Sequence, residues 1–306
     1  MIKRRLFIKN ILGLCAMIPL TNNLCFAYTK RTYNIIQNFS SMGTIGKINL
    51  ITNNKIKGKQ LINDIIYKIS YYEKILTMFS KTSFIGKMNK NPKIEFNLPK
   101  NIIYILKLSE ILRIKTNQKF NICIGNKSYL KNSNKHLIKK NTPLLININK
   151  NKAMLNDHLT IDLGSIGKGF AIEQAIKITN QHEIKNILIE LGGDIKIKEN
   201  NKTNDWQIKI DSINKNIDNN CINLHNTSIA SSGQFIKNKI SKNYIIKNHI
   251  IDPTTLSTNN YYKLTTVTGP NLTICDALST ALYNTPLQEI YILKKNFPEY
   301  NFKTFI

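Results

Sequence analysis

The stretch Asp162-Leu163-Gly164-Ser165-Ile166-Gly167-Lys168-Gly169-Phe170 constrains this chain more than any other. A β-branched run leads into it, and the helix-forming run Ala171-Ile172-Glu173-Gln174-Ala175 follows it. Three glycines within six residues let the backbone turn tightly and approach a ligand closely. The helix start behind them is expected to offer free N–H groups to a phosphate. One carboxylate and one lysine frame the turn, so a nucleotide or dinucleotide pyrophosphate is the expected ligand class. The spacing matches neither a P-loop nor the G-x-G-x-x-G of dinucleotide folds.

The chain has 306 residues, 42% hydrophobic, which supports a real core in one large domain or two small ones. Its formal charge of +26 raises the question of nucleic acid. A nucleic-acid binder gathers Lys and Arg on one face among aromatics. Here lysine is spread along the whole chain with Ile and Asn, the residues that A/T-rich codons supply, so no nucleic-acid partner is expected. The charge still favours acidic partners and anionic membrane surfaces.

Residues 1–27 read as an export signal, leaving 28–306 as one domain. Lys3-Arg4-Arg5-Leu6-Phe7-Ile8-Lys9 is a charged region close to the twin-arginine pattern, Ile11 to Leu20 is a short apolar run, and Cys25-Phe26-Ala27 places small residues for cleavage. The expected location is therefore the periplasm or the periplasmic face of the inner membrane. After cleavage Cys123, Cys221 and Cys275 remain, without metal-ligand spacing.

Periodicity predicts two strands from Tyr33 to Thr52 around Met42-Gly43-Thr44, helices over Lys59–Leu76 and Pro99–Ile114, and loops with short strands over 125–158. A turn and helix follow over Asp162–Thr179. Strands are expected over Ile187–Lys198, Trp206–Ile210, Cys221–Phe235, Asn243–Asp252 and Thr265–Thr268, and a helix over Ile274–Tyr283. Strands and helices alternate without a βαβ rhythm. The fold class is thus α+β, a single domain of mixed or antiparallel sheets with packed helices.

Other segments carry chemistry-bearing residues. Asp276 and Thr280 lie four apart on a predicted helix and share a face, offering hard oxygens of the kind that suit Mg²⁺; the same spacing fits an ordinary amphipathic helix. His249, before Ile250-Ile251-Asp252-Pro253, titrates near neutrality and is a general-base candidate or a structural histidine. Leu191-Gly192-Gly193-Asp194 follows a predicted strand and reads as a ligand-approaching turn or a plain β-turn. Ala230-Ser231-Ser232-Gly233 has the same two readings.

The order of these motifs, from Met42-Gly43-Thr44 through Asp162–Gly169, Leu191–Asp194, Ser231-Ser232-Gly233, His249–Pro253 and Asp276-Ala277-Leu278-Ser279-Thr280, resembles the ApbE family of FAD:protein FMN transferases. The resemblance spans about Tyr33 to Tyr283. It implies an α+β domain with a flavin cleft and transfer of FMN from FAD to a Ser or Thr hydroxyl of a target protein, with Mg²⁺ and release of AMP. It implies that Met42 packs on the flavin, that Phe79 stands where the family has a stacking Tyr, and that Lys119, Phe120 and Asn121 occupy the family's A-F-D segment at the FAD site. Asp162 and Lys168 are implied to hold FAD polar groups, and Ile250 to line the flavin site. The implied Mg²⁺ ligands are the Ser165 carbonyl and the side chains of Asp276 and Thr280. For that reaction some group must accept the hydroxyl proton, and His249 is the candidate, with Asp276 as second choice. The implied partner is a membrane-associated redox subunit with a Ser/Thr flavinylation motif, reached at the inner-membrane surface. An FAD-binding protein without transfer, and an FAD pyrophosphatase giving FMN and AMP, are the alternatives. Phe79, Lys119 and Asn121 depart from the family pattern, as does Leu256, which replaces the Gly usual after Asp-Pro-x-Thr; none touches the metal set.

Overall fold

The computed structural model describes residues 31–123, 145–149, 151–156, 159–182, 184–199, 206–210, 221–233, 235–237, 245–247 and 250–306. The expected leader, residues 1–27, and His249 lie outside them. Residues 32–306 cluster as one compact unit.

The chain opens with the hairpin β1 (Tyr33–Ser41) and β2 (Thr44–Thr52), joined by Met42 and Gly43. Both turn residues have positive φ, 51° and 73°. That is the backbone a two-residue hairpin of this hand requires, and Met42 adopts it without glycine's freedom. Helix α1 (Lys55–Leu76) starts four residues before its predicted start, because the Asn54 side chain accepts from the N–H groups of Ile56 and Lys57. Next come α2 (Phe84–Lys90), β3 (Glu95–Asn97), α3 (Lys100–Lys115), β4 (Leu145–Asn149), β5 (Lys152–Leu155) and α4 (Gly167–Ile176).

The strand pattern over Ile187–Lys198 forms the hairpin β6 (Ile184–Leu191) and β7 (Asp194–Glu199), with the turn expected at Leu191–Asp194 made by Gly192 and Gly193 at φ 61° and 91°. The strands β8 (Trp206–Lys209), β9 (Cys221–Leu224), β10 (Ser228–Gly233), β11 (Phe235–Lys237), β12 (Ile245–Lys247), β13 (Ile251–Asp252), β14 (Ser257–Thr258) and β15 (Leu264–Gly269) follow. Helices α5 (Leu272–Tyr283) and α6 (Ile290–Asn296) and strand β16 (Asn301–Phe305) complete the fold. The α+β class stands. Helices α2 and α6 and strand β16 have no counterpart in the periodicity reading: α2 and α6 have seven residues each and β16 five, too few to show a period.

A seven-stranded sheet in the order β1-β2-β6-β7-β10-β15-β16 forms the frame, every neighbouring pair antiparallel. Side-chain alternation divides its two faces. Ile187, Ile189 and Leu191 enter the main core with α1, α4 and α5, whereas Leu188 joins Ile197, Ile229 and Leu224 in a second cluster under the β8–β9 hairpin. Among the described residues no helix is long and apolar enough to cross a membrane.

Candidate functional site

The glycine turn is built by its own side chain. The Asp162 N–H donates to the Ile122 carbonyl at 2.7 Å, and its Oδ1 accepts the Gly164 N–H at 2.8 Å. The N–H groups of Ile166 and Gly167 both donate to the Leu163 carbonyl, at 3.1 and 2.7 Å. The Gly169 N–H donates to Asp276 Oδ2 at 2.9 Å. This corrects the expectation of free N–H groups at the helix start: those of residues 166, 167 and 169 are already bound within the protein. The Lys168 side chain adds a positive charge to the turn.

Close packing of α4 on α5 sets that side chain in place. A Cβ on Gly169 would lie 2.5 Å from the Leu272 carbonyl oxygen and 2.9 Å from Asp276 Cβ, so the two helices meet at a distance only glycine permits. Lys168 Nζ then lies 3.0 Å from Asp194 Oδ2 and 3.4 Å from Asp276 Oδ1. Asp194 is fully buried at the start of β7, directly after the Gly192-Gly193 turn. No well-aligned hydrogen bond from a described residue reaches either of its oxygens; its compensation is the Lys168 ammonium. Burial and the neighbouring Asp276 charge push the Asp194 carboxyl up, against the pull of Lys168. Burial opposes the charge on Lys168, but the two carboxylates outweigh it and hold the ammonium above the usual lysine range. Sequence reasoning gave Asp194 no role; its signal was a carboxylate immediately after a Gly-Gly turn.

On α5, Asp276 and Thr280 stand one turn apart, as their spacing predicts. Thr280 Oγ1 lies 3.2 Å from Ser232 Oγ of β10, which lies 2.7 Å from Ser279 Oγ. Ser232 is a second polar neighbour that the sequence reading left unassigned. Ser165 is half-buried in the turn. Among the described residues no group of three or more His, Cys, Asp or Glu is arranged to hold a metal. A thin set of one carboxylate, one hydroxyl and one carbonyl instead suits Mg²⁺, which keeps waters and shares substrate phosphates. Asp276 Oδ1 faces the Lys168 ammonium at 3.4 Å, and the hard oxygens of Asp276 and Thr280 are of the kind that ion takes.

The expected flavin residues surround this centre unevenly. Met42 Cε lies 3.8 Å from where a Cβ on Gly167 would sit, so the hairpin turn reaches the glycine turn. Phe79 is 89% exposed between α1 and α2, an aromatic face open to a ligand ring. Phe120 is fully buried in the core, so its ring does not present a face to a ligand. Asn121 Oδ1 accepts the Cys123 N–H at 2.8 Å, and Ile250 is buried in the same core. Lys119 Nζ lies 3.4 Å from Asp252 Oδ2. Asp252 also accepts from the Thr254 N–H and hydroxyl, both at 2.7 Å, and from Asn259 at 3.0 Å. Burial opposes the Asp252 charge, yet these hydrogen bonds and Lys119 hold its carboxyl below the usual range. Asn284, at the end of α5, donates to the carbonyls of Lys119 and Ile251 at 3.3 and 3.2 Å, which joins the 119–121 segment to the segment after His249.

Leu256 stands at φ 56°, in the left-handed region that favours glycine, and its N–H donates to the Asp252 carbonyl at 2.8 Å. A branched residue there costs about 1 kcal/mol. Leu256→Gly is therefore expected to stabilise the fold by about that amount, read as a higher midpoint in urea unfolding.

The model of the ApbE family matches residues 42–301. A FAD:protein FMN transferase of Buchnera aphidicola subsp. Schizaphis graminum is 27% identical over 252 residues, covering 70% of this chain and 69% of the relative. Another, of Haemophilus influenzae, is 31% identical over 153 residues, covering 46% and 42%. The flavinyl transferase ApbE of Pseudomonas stutzeri, in its apo form, superposes with a TM-score of 0.73 at 15% identity, covering 90% of this chain and 95% of that one. The Thermotoga maritima ApbE protein gives 0.72 at 19% identity, covering 89% and 93%. At these identities the superpositions speak for the fold.

Proposed function

The chain belongs to the ApbE family, and from that premise we propose that it transfers FMN from FAD to a Ser or Thr hydroxyl of an exported redox protein, releasing AMP, with Mg²⁺ as cofactor. The observation that carries the reading is the Gly169 contact, which brings Lys168 on the glycine turn to the face of α5 that bears Asp276 and Thr280. Phosphoryl transfer is mostly positioning and charge stabilisation, and these residues supply both.

Asp276, Thr280 and the Ser165 carbonyl are the proposed Mg²⁺ ligands, and the ion would neutralise charge on the pyrophosphate. Lys168 adds a positive charge beside it. The target hydroxyl attacks the phosphorus nearest riboflavin, the bond to the AMP phosphate breaks, and AMP leaves. His249 is the proposed acceptor of the hydroxyl proton. Met42 and Phe79 offer apolar faces for the ring system, with Lys119 and Asn121 at its polar edge. The export signal expected over residues 1–27 would give a periplasmic site of action on a membrane-associated acceptor.

Incubating the protein with FAD, Mg²⁺ and an acceptor domain carrying a Ser/Thr flavinylation motif tests this reading. The expected result is an acceptor mass gain of one FMN with stoichiometric AMP. Free FMN with unmodified acceptor would instead make the chain a pyrophosphatase, and unchanged FAD would make it a carrier.

A further inference from the structure

Asp276 cannot serve two cations equally. Its Oδ2 is held by the Gly169 N–H, so Oδ1 is the oxygen left for a metal, and Lys168 lies 3.4 Å from it. An ammonium that closed on Oδ1 would compete with a divalent ion for the same charge. Lys168 is nearer Asp194, at 3.0 Å, and Asp194 is fully buried with no other well-aligned donor among the described residues. A buried carboxylate left without its cation is costly, so Asp194 has a strong claim on Lys168.

We propose that Asp194 is a positioning residue that draws the Lys168 ammonium away from Asp276 and so keeps Asp276 free to bind a divalent cation. It rests on the reading of Asp276 as a metal ligand. In this role Asp194 acts through Lys168 and not as a ligand. It decides where the neighbouring positive charge sits. Without it, Lys168 has one carboxylate left and closes on Asp276. The arrangement also explains why the carboxylate follows the Gly192-Gly193 turn: that hairpin end sets the first residue of β7 against the start of α4.

The test is Mn²⁺ binding to the whole chain without flavin, followed by electron paramagnetic resonance, in four proteins: the parent, Asp194→Asn, Lys168→Met and the double variant. Asp194→Asn is expected to weaken Mn²⁺ binding about tenfold in the parent, and to have no effect in the Lys168→Met background, where no ammonium is left to redirect. Lys168→Met alone is expected to tighten binding. Equal weakening in both backgrounds would mean that Asp194 acts only through its charge, and would overturn the proposal. No weakening in the parent would overturn it as well. If Asp194→Asn does not fold, as read by circular dichroism, Lys168→Met decides: unchanged or weaker Mn²⁺ binding overturns the proposal. Asp276→Ala separates the premise from the inference. If it leaves parent Mn²⁺ binding intact, the metal-ligand reading fails; if it abolishes binding while Asp194→Asn has no effect, only the Asp194 inference fails.

Discussion

Asp276→Ala is expected to lower the rate of FMN transfer by about a thousandfold, or roughly 4 kcal/mol of barrier. The substitution removes the carboxylate proposed to hold Mg²⁺, and with it most of the charge compensation on the pyrophosphate. It also takes the acceptor from the Gly169 N–H and the second carboxylate from Lys168. Part of the loss could therefore come through folding, since an orphaned buried donor costs about 1–3 kcal/mol. Asp276→Asn separates the two effects. Its amide oxygen still accepts from Gly169, so unfolding is expected near the parent value, while the lost charge keeps transfer slow. Measured by AMP release at saturating FAD, a parent-like rate in Asp276→Asn would remove Asp276 from the metal set.

How much of this was readable from residues alone varied with distance along the chain. The long helices α1, α3 and α5 and the β1–β2 hairpin carry enough apolar positions, or a clear enough turn, to announce themselves. Asp276 and Thr280 needed only helical spacing to be placed on one face. The β6–β7 hairpin is legible in part: the strand pattern runs over Ile187–Lys198, the Leu191–Asp194 motif marks a turn within it, and the positive φ of Gly192 and Gly193 puts the division there. Lys119 and Asn121 were placed by resemblance, and their ties to Asp252 and Cys123 depend on the final packing. Phe120 was expected to line the FAD site, yet it is buried: a motif gives a position in the chain but not the direction in which a ring points.

Asp194 was missed for a related reason. Its partners lie 26 and 82 positions away in number, on α4 and α5, and only tertiary structure assembles them. The sequence offers a Gly-Gly-Asp turn, which is ordinary by itself. The unusual fact is full burial of the carboxylate, and burial is a property of the packed sheet. The glycine turn shows the converse. Its length and composition suggest a cradle of free N–H groups, but Leu163 and Asp276 take those of Ile166, Gly167 and Gly169 within the protein. Its three glycines therefore differ in what they do: Gly164 completes the Asp162 turn, Gly167 opens the helix under Met42, and Gly169 permits close helix contact.

That last role carries the largest expected effect on folding. Gly169→Ala is expected to destabilise the protein by about 3 kcal/mol, near the upper end of what overpacking costs. The new methyl carbon would lie 2.5 Å from a backbone carbonyl of α5, which cannot rotate aside as a flexible side chain would. The helices must part instead. Parting them lengthens the 2.9 Å bond from the Gly169 N–H to Asp276 and carries Lys168 away from its two carboxylates. Stability and activity should therefore fall together, the first read by urea unfolding and the second by FMN transfer at a temperature where the variant is still folded. Gly164→Ala is the control. Its Cβ would meet only the Asp162 carboxyl, at 3.2 Å, a side chain that can shift slightly. Gly164→Ala should be the milder change by at least about 1 kcal/mol; if the two variants unfolded alike, the helix contact at Gly169 would not be what holds the site together.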